Sequence, residues 1–133
     1  MSEENVKALE RVYEEWSRGN LRPTTDVFGP DTEWGWSDEF PGIHGVHREP
    51  ESRSERMLEW LRQWEDFHIQ AEEYIPVGEV VVVLCRITGR GKASGVVVDH
   101  PGGHVWTMRK GKAVRLEIFS SRSQALEAAG LSE

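Results

Sequence analysis

Apolar and polar side chains alternate with a period of two in residues 104–109, and the same alternation returns in residues 113–119. This period is typical of β-strands whose two faces meet different surroundings. The runs are joined by Lys110-Gly111-Lys112, a link short enough for a hairpin. The alternation gives each predicted strand one common face, formed by His104, Trp106 and Met108 in the first and by Val114, Leu116 and Ile118 in the second. A titratable imidazole in line with tryptophan and methionine is the most function-like feature of the sequence.

Apolar residues spaced by three and four predict an amphipathic helix at the N-terminus. It begins with Ser2 and two glutamates, a cap and two acids that suit the helix dipole, and it ends at Gly19-Asn20. A short second helix is predicted for residues 25–28 and a third for residues 51–65. The apolar stripes comprise Val6, Leu9, Val12, Tyr13 and Trp16 in the first helix, and Met57, Trp60, Leu61 and Trp64 in the third.

Further strands are predicted where apolar residues alternate or run together, at residues 31–36, 67–75, 79–88 and 92–100. Pro101-Gly102-Gly103 is predicted to turn the chain before the strand at residue 104. Ser121 and Gln124 have the spacing of a capping box, which predicts a last helix over residues 124–129 that ends at Gly130. Helices followed by a run of strands indicate an α+β domain, with helices segregated to one face of an antiparallel sheet.

Length and charge narrow the classes of protein to be considered. A chain of 133 residues, 38% apolar and with six tryptophans, predicts one folded domain over residues 1–133. Its net charge of −7 argues against a nucleic acid or a membrane surface as partner, since both require a basic patch. The sequence shows neither a leader peptide nor an apolar run near the length of a membrane span, so a cytoplasmic protein is expected.

The sequence contains little that indicates metal, thiol or nucleotide chemistry. His44 and His47 have a two-histidine spacing, but they fall in a glycine- and proline-rich loop where surface histidines are the favoured interpretation. The single cysteine, Cys85, follows four valines and a leucine and is expected to be a buried apolar-like residue. The sequence contains no glycine-rich phosphate loop and no dinucleotide fingerprint. Neither a metal nor any other cofactor is predicted.

The order and spacing of these segments resemble the SnoaL-like polyketide cyclases and the ketosteroid-isomerase-like proteins of the nuclear-transport-factor-two-like superfamily. The resemblance covers nearly the whole chain and is carried by residues 12–20, 31–34, 60–67, 104–112 and 125–130. It implies a cone-shaped barrel, in which a strongly curved antiparallel sheet carries helices on its concave face and encloses a pocket. It also implies a homodimer that forms through the outer face of the sheet. Because this fold hosts many activities, the resemblance leaves the function open.

The resemblance assigns roles to particular residues. Ketosteroid isomerase combines an aspartate base with an oxyanion hole made of a tyrosine and a protonated aspartic acid. Tyr13 matches the place of that tyrosine, and His104 falls where the protonated aspartic acid would be. Trp36 falls at the position of the base, and tryptophan cannot accept a proton from carbon. Asp38 or Glu39, in the loop that follows, is the candidate replacement.

Three hypotheses follow from these assignments. In the first, the protein is an isomerase or cyclase that moves a proton on a hydrophobic carbonyl compound, polyketide- or steroid-like. His104 then moves the proton, Tyr13 polarises the oxygen, and Asp38 assists or orients. The pocket is expected to be lined by Trp16, Trp36, Met57, Trp60, Trp106, Leu116 and Ile118. In the second hypothesis the pocket only binds a small hydrophobic molecule, and in the third the domain is a dimerisation module filled by its own side chains. Under the last two, His104 and Tyr13 are core residues whose polar atoms are satisfied internally.

Overall fold

The computed structural model describes residues 2–19, 27–36, 45–47, 62–119 and 121–131, which form two helices and six strands. The elements are α1 (Ser2–Ser17), β1 (Phe28–Trp36), β2 (Gly45–His47), β3 (Trp64–Val77), β4 (Val80–Gly91), β5 (Val97–Arg109), β6 (Lys112–Phe119) and α2 (Arg122–Ala128). Among these residues, no helix is long and apolar enough to cross a membrane.

The described strands form one sheet in the order β2-β1-β6-β5-β4-β3. Every neighbouring pair is antiparallel except β1 and β6, which run parallel. The α+β class is therefore confirmed, but the sheet is mixed and not purely antiparallel. Local alternation could not show this, because a parallel pair joins segments that a long connection separates in sequence.

The helix α1 buries the stripe that its periodicity predicts. Four of the residues on that stripe, namely Leu9, Val12, Tyr13 and Trp16, are at most 3% exposed. They share one core cluster with the inward side chains of β4, β5 and β6. The helix ends as predicted near Gly19, whose positive φ of 90° suits a residue without Cβ. This packing places the hydroxyl of Tyr13 against the middle of the sheet.

The predicted turn at Pro101-Gly102-Gly103 is wrong, because β5 runs straight through these residues. Gly102 pairs with Cys85 and Gly103 with Leu84 in the β4 ladder. A Cβ on Gly102 would lie 2.8 Å from Ile87 Cδ1, and one on Gly103 would lie 2.4 Å from Ala125 Cβ. These glycines therefore allow close packing within a strand and do not reverse the chain. The predicted strand over residues 92–100 begins only at residue 97, after a turn over residues 92–94.

The predicted hairpin of β5 and β6 is confirmed, with one difference in the direction of its side chains. Lys110 and Gly111 have φ values of 51° and 76°, as a tight two-residue hairpin turn requires. The register shifts so that Thr107 opposes Arg115 and Met108 opposes Ala113, which leaves Val114 as an additional residue. Val114 is consequently 41% exposed and does not share the buried face of Leu116 and Ile118.

The remaining predicted helices fare differently. Phe28 begins β1, so the short helix does not reach it, and the third helix cannot extend to residue 65 because Trp64 begins β3. Residues 25–26 and 51–61 lie outside the described part of the chain. The last helix, α2, is confirmed, with the Ser121 hydroxyl accepting from the Gln124 backbone N–H at 3.2 Å.

The two described helices do not share a face of the sheet, contrary to expectation. Ala125 and Leu126 of α2 pack with Val82, Leu84 and Val105, whereas α1 packs with the alternate residues of β4 and β5. The sheet thus has a core on both faces, which explains why the first half of β4 is continuously apolar.

Candidate functional site

Hydrogen bonds link three buried aromatic side chains of α1 and β5. Trp106 Nε1 donates to the Tyr13 hydroxyl oxygen at 2.9 Å. The same hydroxyl is hydrogen-bonded to Nδ1 of His104. His104 and Trp106 face the same way because they are two residues apart on a strand, and α1 places Tyr13 opposite them. These three residues are called the polar chain below.

The second ring nitrogen of His104 faces a thiol. Its Nε2 atom lies 3.9 Å from Cys85 Sγ, within the range of a weak sulfur hydrogen bond. Cys85 pairs with Gly102 across the β4–β5 ladder, two residues before His104, so the contact is diagonal. The imidazole is thus held between a hydroxyl on one nitrogen and a thiol on the other.

Burial keeps the ionisable groups of this site neutral. Tyr13 is 2% exposed, His104 1% and Cys85 0%. Burial lowers the pKa of His104 to about 3 and raises the pKa of Cys85 to about 12. It also raises the pKa of Tyr13 well above its ordinary value, an effect that Cys85 reinforces and the hydrogen bond from Trp106 opposes. At neutral pH these groups are therefore donors and acceptors without net charge.

Donor and acceptor capacities decide where the protons lie. A neutral imidazole carries one N–H, and Trp106 can only donate. If the Tyr13 hydroxyl donates to His104 Nδ1, the imidazole proton is on Nε2 and points at Cys85 Sγ, so that each N–H and the phenolic O–H has an acceptor. In the other tautomer, Nδ1–H donates to the Tyr13 oxygen. The phenolic O–H keeps its proton and can donate a hydrogen bond to another acceptor.

Aromatic and aliphatic side chains enclose the polar chain. The Trp16 ring lies edge-on to Tyr13, with ring centroids 5.0 Å apart, and the Phe28 ring centroid is 5.6 Å from that of Trp106. Leu116 and Ile118 are buried in the same cluster, opposite Trp106 and His104 respectively on β6. The polar chain therefore lies in an apolar environment from which water is excluded.

The structure brings together six of the ten predicted site residues, namely Tyr13, Trp16, His104, Trp106, Leu116 and Ile118. Trp36 contributes its backbone to β1, opposite Ile118, and its side chain is not among those described. Asp38, Met57 and Trp60 lie outside the described residues. Cys85 was not predicted as part of the site, although its place on the inward-facing alternation of β4 indicates where its side chain points.

A cleft of about 560 Å³ lies apart from this site, between the first turns of α1 and the β5–β6 turn. Its lining includes Lys7, Arg11 and Lys112 but none of the residues of the polar chain. Within the described ranges, no group of three or more histidine, cysteine or acidic side chains could hold a metal ion.

Comparison with known proteins gives a family and a fold. The family model of the SnoaL-like domain matches residues 9–116, which include the whole polar chain. No curated protein matches the chain. Among solved structures, TerC co-crystallized with polyporic acid is 22% identical, with a TM-score of 0.76 over 89% of this chain and 92% of that one.

Two further structures have the same fold. A nuclear-transport-factor-two-like protein of unknown function from Burkholderia pseudomallei is 21% identical, with a TM-score of 0.72 over 93% of this chain and 95% of that one. A putative SnoaL-like polyketide cyclase from Jannaschia sp. is 18% identical, with a TM-score of 0.67 over 89% and 85%. At these identities the likeness concerns the fold, while the family match covers most of the sequence. The chain belongs to the SnoaL-like domain family and has the α+β fold of nuclear-transport-factor-two-like proteins.

Proposed function

We propose that the protein binds a small hydrophobic carbonyl compound against Tyr13 and acts on it by proton transfer, as an isomerase or cyclase without a metal or nucleotide cofactor. The observation that carries this proposal is the buried Tyr13 hydroxyl, which receives a hydrogen bond from Trp106 and lies against His104. A hydroxyl donor in a site that excludes water stabilises a developing oxyanion strongly, because little solvent screens it.

The proposed reaction begins with the loss of a proton from the carbon beside the carbonyl group. Negative charge then develops on the carbonyl oxygen, and the Tyr13 hydroxyl donates to it. The hydrogen bond from Trp106 stabilises negative charge on the Tyr13 oxygen, which makes that hydroxyl a better donor. His104 shares a proton with the same oxygen and remains neutral. From the sequence, Asp38 or Glu39 is the candidate to replace the base that receives the proton from carbon. The proton-moving role that the sequence suggested for His104 becomes, in this proposal, a hydrogen bond to the Tyr13 oxygen, because burial lowers the pKa of His104 to about 3.

A second candidate function is binding without chemistry. It is favoured by the burial of the polar chain, since Tyr13, His104 and Trp106 are at most 2% exposed and already satisfy one another. A ligand would have to replace the hydrogen bond between Tyr13 and His104. A binding protein can use the replaced bond to select for a carbonyl oxygen without removing any proton from carbon.

The test measures binding and proton exchange on the same samples. Tryptophan fluorescence reports binding, because Trp16 and Trp106 contact Tyr13. The probes are polyporic acid, with which TerC was co-crystallized, and a series of cyclic β,γ-unsaturated ketones. Deuterium uptake beside the carbonyl group of each ketone in D₂O, followed by NMR, reports proton transfer.

The variant Tyr13→Phe is compared with Tyr74→Phe, a partly buried tyrosine whose ring centroid lies 6.1 Å from that of Tyr13. We expect Tyr13→Phe to slow exchange by a factor of about 10² to 10³ and Tyr74→Phe to retain it. If the parent protein binds a probe but catalyses no deuterium exchange, the enzyme proposal is wrong and binding without chemistry becomes the function. The absence of both activities across the probes would contradict both proposals.

The homodimer remains a proposal. On the face away from α1, α2 already covers part of β4 and β5 through Val82 and Val105. A dimer through this face must therefore use strands that α2 leaves uncovered, or α2 itself. The mass in solution, measured by light scattering, should be twice that of one chain.

A further inference from the structure

The cleft between the first turns of α1 and the β5–β6 turn has a charge opposite to that of the chain. Two acidic side chains, Glu3 and Glu4, line it together with four basic ones. The basic side chains are Lys7, Arg11, Lys110 and Lys112. The chain as a whole has a net charge of −7, so positive charge is concentrated at this one concave surface against the overall balance.

Two of these basic side chains have no acidic partner. Among the described residues, no carboxylate oxygen lies within 4.0 Å of the charged nitrogens of Arg11 or Lys110. Lys7 reaches Glu3 only at 4.0 Å, and both side chains are largely exposed, so this ion pair contributes little and another anion can replace it. The chain has 23 acidic and 16 basic residues, which means that the unpaired cations do not result from a shortage of acids.

A buried hydrogen bond holds the two walls of the cleft together. Asn5 of α1 is 3% exposed, and its Oδ1 accepts from the backbone N–H of Gly111 in the β5–β6 turn at 3.0 Å. The bond fixes the helix that carries Arg11 against the turn that carries Lys110. The backbone positions of both residues are thus set before a ligand arrives, which lowers the cost of binding one.

We propose that this cleft binds a small organic anion with at least two negative charges, a phosphate ester or a polycarboxylate. Its volume of about 560 Å³ lies within the range of small-molecule sites, about 300–1,000 Å³. Arg11 presents a planar fork of N–H donors that suits either anionic group, and Lys110 and Lys7 add point charges. The inference does not depend on the proposed function, because the cleft contains no residue of the polar chain.

The charges favour a free molecule over an anionic polymer or membrane. A net charge of −7 repels an extended negative surface, whereas a small molecule can contact the basic side chains alone. The exposed carboxylate of Glu3 can accept a hydrogen bond from a hydroxyl group of such a molecule. A phosphorylated or carboxylated compound that also carries hydroxyl groups therefore fits the lining best.

The experiment compares two anions of different chemistry. Calorimetric titration at an ionic strength of about 0.05 M measures the Kd of adenosine diphosphate and of citrate, with adenosine as the uncharged control. Arg11→Gln and Lys110→Asn each remove one positive charge, and asparagine tolerates the φ of 51° at position 110, so the turn is retained. Lys92→Gln is the matched control, because Lys92 is exposed and does not line the cleft.

We expect at least one of the anions to bind with a Kd of about 1 mM or below. Arg11→Gln should raise that Kd about fivefold or more, Lys110→Asn about two- to fivefold, and Lys92→Gln by less than about twofold. Binding of adenosine diphosphate alone would identify the ligand as a phosphate ester, and binding of citrate alone as a polycarboxylate.

Three results would overturn the proposal. The first is no binding of either anion at about 10 mM. The second is an equal effect of Lys92→Gln and Arg11→Gln, which would show that only the overall charge matters, or equal affinity for adenosine. The third is sedimentation of the protein with vesicles of phosphatidylcholine and phosphatidylserine in the absence of any binding of the free anions. Deuterium exchange on the ketones is measured separately, so failure at the cleft leaves the proposed function untouched.

Discussion

Replacing Tyr13 by phenylalanine removes one oxygen atom and keeps the ring, so it tests the polar chain apart from the packing. The edge-on contact with Trp16 remains. Two polar atoms lose their partner, Trp106 Nε1 and His104 Nδ1, and both residues are at most 1% exposed. A buried polar group without a partner costs about 1–3 kcal/mol, so two cost about 2–6 kcal/mol. Because the variant no longer buries a hydroxyl, we expect the free energy of unfolding to fall by about 2–4 kcal/mol.

The loss can be measured by urea unfolding at pH 7, followed by tryptophan fluorescence. Parent and variant are compared with the same dependence of the free energy of unfolding on urea concentration. Tyr74→Phe is the control and should change the free energy of unfolding by less than about 1 kcal/mol. A cycle with Trp106→Phe should show a coupling energy of about 0.5–3 kcal/mol, since the two residues share a hydrogen bond. A Tyr13→Phe protein within about 0.5 kcal/mol of the parent would refute the reasoning, because the hydroxyl would then have no partner worth losing.

Acidification should destabilise the protein, because the pKa of His104 is about 3 when folded and about 6.5 when unfolded, so its contribution is complete above pH 6.5 and declines toward pH 3. The loss from this residue between pH 7 and pH 5 is about 2 kcal/mol, and the urea midpoints of a His104→Asn variant should lack this part of the dependence. Gly103→Ala should lower the free energy of unfolding by about 1–3 kcal/mol, because the new methyl group displaces α2 at Ala125. Adding Ala125→Gly should restore part of that loss in thermal melts. A Gly103→Ala protein that melts like the parent would contradict this close contact. Ser121→Ala should lower the free energy of unfolding by about 1 kcal/mol, and Ser121→Asp should lower it much less, because aspartate can also cap α2. Equal stability of the parent and Ser121→Ala would show that the cap does not stabilise α2. Cys85 should react with a disulfide reagent only after unfolding, and rapid labelling of the native protein would show that the thiol is accessible.

Elements with strong local signals were predicted well from the sequence. The stripe of α1 was predicted because its apolar residues keep a helical period over about three turns, from Val6 to Trp16. The hairpin of β5 and β6 and the cap of α2 depend on short motifs, a glycine in a tight turn and a serine three residues before Gln124. These motifs act over a few residues, and the rest of the chain does not override them.

The predicted fold is wrong where the local structure depends on residues that are distant in sequence. Gly102 and Gly103 look like a turn in sequence, yet Ile87 and Ala125 take up the space that their missing side chains leave. The bulge at Val114 depends on how β6 pairs with β5, and the parallel contact of β1 with β6 depends on the whole intervening chain. Periodicity along one segment carries no information about such pairings.

The candidate site was predicted in part for similar reasons. The alternation of β5 places His104 beside Trp106, and the resemblance assigns Tyr13 to the same site. The hydrogen bond from Trp106 was not predicted, because it depends on the depth at which α1 packs on the sheet. The contact of Cys85 with His104 depends on the register of β4 against β5, which the sequence does not reveal. For Asp38, Met57 and Trp60, which lie outside the described residues, the assignments stay predictions.

A buried and self-satisfied hydroxyl is compatible with a ligand site, because the exchange of one hydrogen bond for another costs little. The bond between Tyr13 and His104 contributes about 0.5–1.5 kcal/mol. When the Tyr13 hydroxyl donates to a carbonyl oxygen instead, His104 keeps a partner in its other tautomer by donating from Nδ1–H to the Tyr13 oxygen. The bond from Trp106 is retained in both arrangements. An apolar ligand without a carbonyl group leaves the polar chain as it is and gains only from the apolar area that it covers. A ligand that separates Tyr13 from His104 without accepting the hydroxyl proton leaves a buried donor unpaired, at about 1–3 kcal/mol. Under the proposed function, the polar chain would therefore discriminate against such molecules by a factor of roughly 5 to 150.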